Sequence, residues 1–382
     1  MKRALIVVLI ALGTVVYAQR GAAPGQPGQA PAGQAGPGGG RGRGLSPEQQ
    51  AALAKQDELE KNTPQIPFDA VSLPLQPGSE NTIGETVGVA LNSQKHLFVY
   101  TRTGNTGPAR GATAAKLFEF DQAGKFVKEW GAQAYGFSFA HTVRVDKDDN
   151  IWVTDEGSNM VMKFNKQGIV TMVLGRKDEA IDYIERFLER GQHSEAAAPN
   201  NGAGRPNSFD RPTDVAWDTQ GNVFVADGYG NSRVAKFSKD GEYLKTVGQR
   251  GNGPDGFSTP HTIANDAKGN IYVGDRGNNR IKVYDPDLNL IKTFTNVRSP
   301  WAVCITPGPT QYLYSSDAGG KIYKLDLDGN LLGWLGSNGK KVGQFYWVHE
   351  MACPSENELY TGEAQNWRVQ KLTLHPATKS TK

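Results

Sequence analysis

Two cysteines and five methionines in 382 residues, and almost no imbalance of charge, with 42 Lys and Arg against 39 Asp and Glu, mark what this chain has little of. Cys304 and Cys353 allow one disulfide at most, which excludes a scaffold held together by many bridges; in an exported chain they stay open between a bond and two buried thiols. A net charge of +3, much of it in the N-terminal tail, gives no electrostatic footprint for a nucleic-acid partner. Long apolar runs are also missing. Ala4 to Val16 is shorter than the roughly 18 to 20 residues that span a bilayer, and no later segment is continuously apolar, so no membrane span is expected.

What is present at the N-terminus reads as an export signal. Met1-Lys2-Arg3 is a basic start, Ala4 to Val16 is apolar, and Val16-Tyr17-Ala18 ends in small residues, so residues 1–18 are expected to be removed on the way to the periplasm or the medium. Residues 19–45 are nearly all Gly, Ala, Pro, Gln and Arg, with nothing to bury, and are expected to be a disordered linker. The stretch "GGGRGRG" within it resembles a nucleic-acid-binding Arg-Gly run, but it lacks interleaved aromatics and is read as linker. Residues 46–80 are expected to hold a short helix, capped by Ser46 with Pro47 at its first position, and a lead-in segment.

Residues 81–375 are too many for one ordinary core, yet no composition shift divides them. They repeat instead. Each unit is an apolar strand, a polar turn often ending in Gly-Asn or Asp-Asn, a strand such as "IWVTD", a Gly/Asn/Arg turn, a strand such as "RVAKF", another turn and a last strand. Copies start near Thr86, His141, Pro212, Pro260, Pro300 and Val348, so the fold class is all-β, a six-bladed β-propeller. "KDEAIDYIERFLERG" has helical spacing and is read as an insertion over about 176–210, between blades two and three.

Three of the six histidines fall in phase with this repeat. His141, His261 and His349 each precede by fourteen residues the acid that closes the next strand, Asp155, Asp275 and Glu363. The first strand of a propeller blade lines the central channel, so these imidazoles are expected to converge from blades two, four and six, with Val87, Thr213 and Trp301 between them. Three nitrogen ligands around an axis suit one cation with a position left for water or substrate. Imidazole suits zinc, copper, iron and nickel, and zinc is expected because nothing suggests redox chemistry. His96, His193 and His375 lie outside the pattern. Counting from the same ring positions brings Arg102 and Arg276 to equivalent turns, with Tyr229 one residue further along. Two guanidinium groups beside a metal favour a substrate with a carboxylate, and a tyrosine near them is expected to have its pKa lowered enough to serve as a base. Asp227, Asp275, Asn231, Arg233 and Arg280 are read as structural turn residues.

"RPTDVAWDTQGNVFVADGYGNSRVAKFSKDGEYLKTVG", followed by "GPDGFSTPHTIANDAKGNIYVGDRGNNRIKVYD", resembles the peptidyl-α-hydroxyglycine α-amidating lyase (peptidylamidoglycolate lyase) family of NHL-repeat propellers. The resemblance covers about Thr86 to Leu374. It implies zinc on His141, His261 and His349, a catalytic Tyr229, and substrate-binding Arg102 and Arg276. It further implies a structural calcium on Val89, Val143 and Glu350, where the family has aspartate at the last position. Gly230 replaces a family cysteine and Trp347 a family methionine. The expected function is therefore an exported metal-dependent lyase cleaving the C–N bond of an α-hydroxyglycine-type small molecule or peptide to an amide and glyoxylate. Alternatives are a non-catalytic NHL-repeat propeller that binds a protein or glycan, and a propeller hydrolase or lactonase, whose sites usually rest on carboxylates. Oligomeric state is not legible.

Overall fold

The computed structural model describes residues 47–79, 81–102, 115–132, 134–177 and 208–375. The stretches read as signal peptide and linker, and nearly all of the helical insertion, lie outside those residues. Among the described residues six four-stranded antiparallel sheets form the blades of a six-bladed β-propeller. Their innermost strands are Glu85–Leu91, Ala140–Val145, Asp214–Trp217, Pro260–Asn265, Ala302–Ile305 and Val348–Ser355.

The hairpins form where the sequence puts an acid ahead of Gly-Asn. In blade three Asp218 Oδ1 accepts the N–H groups of Gln220 and Asn222, both at 2.9 Å, and Gly221 takes φ +84°, which a β-carbon disfavours. Asp266 repeats the pattern on Lys268 and Asn270. Between blades the strands bury apolar faces against each other: Phe98, Tyr100 and Leu117 of blade one pack in one cluster with Val143, Val153 and Met162 of blade two.

The acids at the ends of the second strands tie each blade to its own lead-in. Asp155, Asp227, Asp275 and Glu363 are buried, and they accept the backbone N–H of Ser138 (2.8 Å), Asp210 (2.9 Å), Ser258 (2.7 Å) and Tyr346 (3.2 Å). Three of them also hold an arginine of the third strand: Asp227–Arg233 at 2.9 Å, Asp275–Arg280 at 2.7 Å and Glu363–Arg368 at 2.9 Å. Asn231 donates to Asp227 at 2.6 Å. These carboxylates are consumed by the frame, and they point away from chemistry.

Closure comes from the lead-in. Phe68–Ser72 is the outermost strand of the sixth blade, paired with Arg368–Leu374 from Phe68↔Leu374 to Ser72↔Gln370, so the two ends of the propeller are zipped in one sheet. Before it, the helix Pro47–Lys61 rests on blade five, where buried Glu60 accepts from Arg298 Nε (2.7 Å) and Tyr323 Oη (2.8 Å) and pairs with Lys321. Cys304 and Cys353, on neighbouring inner strands, are bonded, with Cα atoms 6.1 Å apart.

Candidate metal centre

One local device makes the site. In blades one, two, four and six the register between first and second strands skips a residue, at Val87, His141, His261 and His349. Each is the extra residue of a β-bulge, and a bulge re-aims a side chain that regular pleating would commit to a face. Thr213 and Trp301 stand just ahead of regular pairing in blades three and five, their N–H groups bonded to Ala226 O (2.8 Å) and Ser316 O (2.9 Å).

The three imidazoles meet. Their ring centroids are 4.7 Å (His141–His261), 4.6 Å (His141–His349) and 4.9 Å (His261–His349) apart, and one nitrogen from each lies within 4.8 Å of the others. His261 Nδ1 donates to Trp301 O at 2.7 Å and His349 Nδ1 to Val87 O at 2.8 Å, in each case the carbonyl of the next ring residue. His141 faces the equivalent carbonyl of Thr213 without a well-formed bond, and that oxygen accepts Thr142 Oγ1 at 3.0 Å. Fixing the proton on Nδ1 leaves Nε2 as a lone-pair donor toward the axis. Burial, then the neighbouring histidines and arginines, hold all three pKa values below the ordinary range, His349 down to about 3. Neutral, inward and close-set, they fit a divalent cation such as zinc.

Tyr229 is held over this triangle by its turn. Its N–H donates to Arg211 O (3.3 Å) and that of Gly230 to Asp210 O (2.9 Å), while Arg250 binds both carbonyls of the pair, at 3.2 and 2.9 Å. Neither flanking glycine has space for a β-carbon, which would meet Pro260 O at 2.2 Å from Gly228 and the Asp210 carboxyl at 2.0 Å from Gly230. A cysteine at 230 would have to displace the Asp210 side chain. The Tyr229 hydroxyl reaches His261 Nε2 (3.1 Å), His141 Nε2 (3.4 Å) and Arg276 (3.5 Å).

The two arginines differ more than their equivalence in sequence suggests. Arg276 lies 4.5 Å from the face of Trp301 and 5.3 Å from that of Tyr229. Arg102 is committed: Nε donates to Ala140 O at 2.9 Å, Nη1 to Glu85 at 3.2 Å, and the guanidinium stacks 3.7 Å over Phe139. The expected lowering of the Tyr229 pKa is not found. Burial pushes the phenol above its ordinary value, and Arg276 and Arg102 oppose this without overcoming it.

One feature of the site has no counterpart among the sequence expectations. Glu156 follows Asp155 as Arg102 follows Thr101 and Arg276 follows Asp275; it is buried, 3.9 Å from Arg102, and the same count of residues exposes it. Trp347, which stands in place of a family methionine, stacks on Trp301 at 4.8 Å beside the histidine ring. The residues assigned to calcium by resemblance do not fit an ion. Glu350 accepts the N–H groups of Val89 (2.9 Å) and Val143 (3.1 Å) and faces the Arg144 guanidinium, which fills that layer of the channel.

The fold and the ring together define a six-bladed β-propeller with three histidines converging on its axis. Residues 208–324 match a sequence family described as a 6-bladed beta-propeller. A probable peptidyl-alpha-hydroxyglycine alpha-amidating lyase of Caenorhabditis elegans is 28% identical over 179 residues, 43% of this chain and 44% of that protein. NHL repeat-containing protein 3 of Mus musculus is 28% identical over 262 residues, 66% of this chain and 65% of that protein. The chain thus spans less than two thirds of the length of each. A streptogramin B lyase structure superposes with a TM-score of 0.51 at 16% identity, covering 81% of this chain and 98% of that one, a likeness of fold alone. The chain is thus similar in sequence to amidating lyases and to an NHL repeat-containing protein. None of the helices among the described residues is long and apolar enough to cross a membrane.

Proposed function

We propose that the protein is an exported metal-dependent lyase that splits an α-hydroxyglycine-type substrate into an amide and glyoxylate. The observation that carries this reading is the Tyr229 hydroxyl, in reach of two inward imidazole nitrogens and of Arg276 at once. His141, His261 and His349 would hold zinc. Bound there, zinc supplies Lewis acidity that lowers the pKa of a coordinated hydroxyl, and its charge opposes the burial that raises the Tyr229 phenol.

The chain's own groups divide the remaining work. Arg276, free of any ion pair among the described residues, binds the substrate carboxylate; Arg102, fixed by Glu85 and Phe139, completes the positive rim. Tyr229 takes the proton from the substrate hydroxyl. The C–O bond becomes the aldehyde C=O, the C–N bond breaks, and the proton ends on the departing amide nitrogen, so atoms and charge balance. Trp301 and Trp347 exclude water from one side.

An N-acyl-α-hydroxyglycine incubated with zinc-loaded protein is expected to yield glyoxylate and the primary amide in equal amounts, faster than in buffer. Intact substrate beside metal-loaded protein contradicts the lyase reading. It would favour the second one, a non-catalytic NHL-repeat propeller binding a protein or glycan.

A further inference from the structure

Below the histidine ring the channel is lined by successive layers of inner-strand residues. One step on from the ring stand Gly88, Thr142, Asp214, Thr262, Ala302 and Glu350; three steps on stand Ala90, Arg144, Ala216, Ala264, Cys304 and Ala352. Five small residues and one arginine make the second layer. That leaves an axial space which a single long side chain can enter.

Arg144 enters it and touches four other blades. Nε and Nη2 bind Asp214 of blade three at 3.0 and 2.6 Å, Nη2 approaches Ile263 O of blade four at 3.5 Å and Val303 O of blade five at 3.3 Å, and Nε lies 3.1 Å from Glu350 Oε1 of blade six. The Nε hydrogen is directed at Asp214, so the Glu350 contact is an ion pair without a hydrogen bond. Thr262 Oγ1 and Ile263 N–H complete the Asp214 carboxylate at 3.1 and 2.9 Å. Two carboxylates and converging carbonyls are what a hard cation collects around itself; here the cation is part of the chain.

We propose that Arg144 is the built-in cation of the channel, tying blades two to six at the axis in place of a bound metal ion, so that this layer binds no calcium. The guanidinium also forms the inner wall of a cavity of about 300 Å³ at the opposite end of the channel, lined by Val89, Ala216, Ala264 and Cys304 among others. This inference does not depend on the lyase reading, because its test reads calcium and stability rather than turnover.

The test uses the full chain loaded with zinc, in buffer stripped of calcium, with and without 1 mM (roughly the weak end of protein calcium affinities) added calcium. Equilibrium dialysis with radiolabelled calcium is expected to find none bound to the native protein, and its urea midpoint should not move. Arg144→Ala should lose roughly 1 M urea in midpoint without calcium, because the buried Asp214 and Glu350 carboxyls lose the guanidinium that faces both of them. It should then bind one calcium and recover part of that loss. If Arg144→Ala does not accumulate, Arg144→Lys, which keeps a charge but not the fork, is expected to show a smaller loss of midpoint. One calcium bound by the native protein, or an Arg144 variant as stable as the native chain without calcium, overturns the proposal.

Discussion

Tyr229→Phe is expected to lower kcat by about 10²- to 10⁴-fold, the range for a positioned proton-transfer group, while zinc content and KM stay near the native values. The reason lies in what the hydroxyl touches. It contributes no metal ligand, since the three imidazole nitrogens make the ring without it, and it is one polar atom at 3.1 to 3.5 Å from His261, His141 and Arg276. Removing it leaves the phenyl ring, its turn and the glycines that seat it. A loss confined to kcat is therefore the signature of proton transfer, whereas a rise in KM alone would mark a binding role. Steady-state kinetics with metal analysis on the same sample separates them, and an unchanged kcat removes Tyr229 from the mechanism.

Asp227→Ala, two residues earlier, is expected to act on the frame. Asp227 is wholly buried with Arg233, and it also takes the Asn231 side chain and the Asp210 N–H. Its loss leaves the Arg233 guanidinium buried without that carboxylate, a change that costs on the order of 3–5 kcal/mol. Because Asp210 carries the turn that seats Tyr229, kcat should fall as well, but through misplacement. Urea unfolding read by tryptophan fluorescence checks the stability change. A native midpoint with lost activity would mean the carboxylate serves chemistry, contrary to the anchoring seen in four blades.

How far these residues could be read without coordinates follows from what each depends on. The blades and the histidine phase depend on spacing, which a repeat displays openly: one count places His141, His261 and His349 on a ring and Arg102 and Arg276 on a rim. The same count reaches Glu156, and only its unlikeness to arginine hid it. The bulges that turn the histidines inward do not show, because an extra residue in a strand looks like any other. Phe68–Ser72 reads as lead-in for a related reason, since five residues paired some 300 positions away carry no local mark of their partner. The Tyr229 pKa is not legible because charges are visible in sequence and burial depth is not; the two arginines act as expected, yet desolvation outweighs them. Arg144 is legible only once the ring positions are aligned, which sets it opposite Ala90, Ala216, Ala264 and Ala352 of the other blades. Whether Cys304 and Cys353 pair depended on their inner strands being neighbours, which the closed ring of blades decides.

The most direct measurement is the transition-metal content of the native protein, purified and reconstituted with zinc, beside His261→Ala. The three-histidine ring predicts one zinc per chain in the native protein and loss of that zinc in the variant, with its turnover. No transition metal in the native protein after reconstitution, or a variant that keeps its zinc, would contradict a metal centre on His141, His261 and His349.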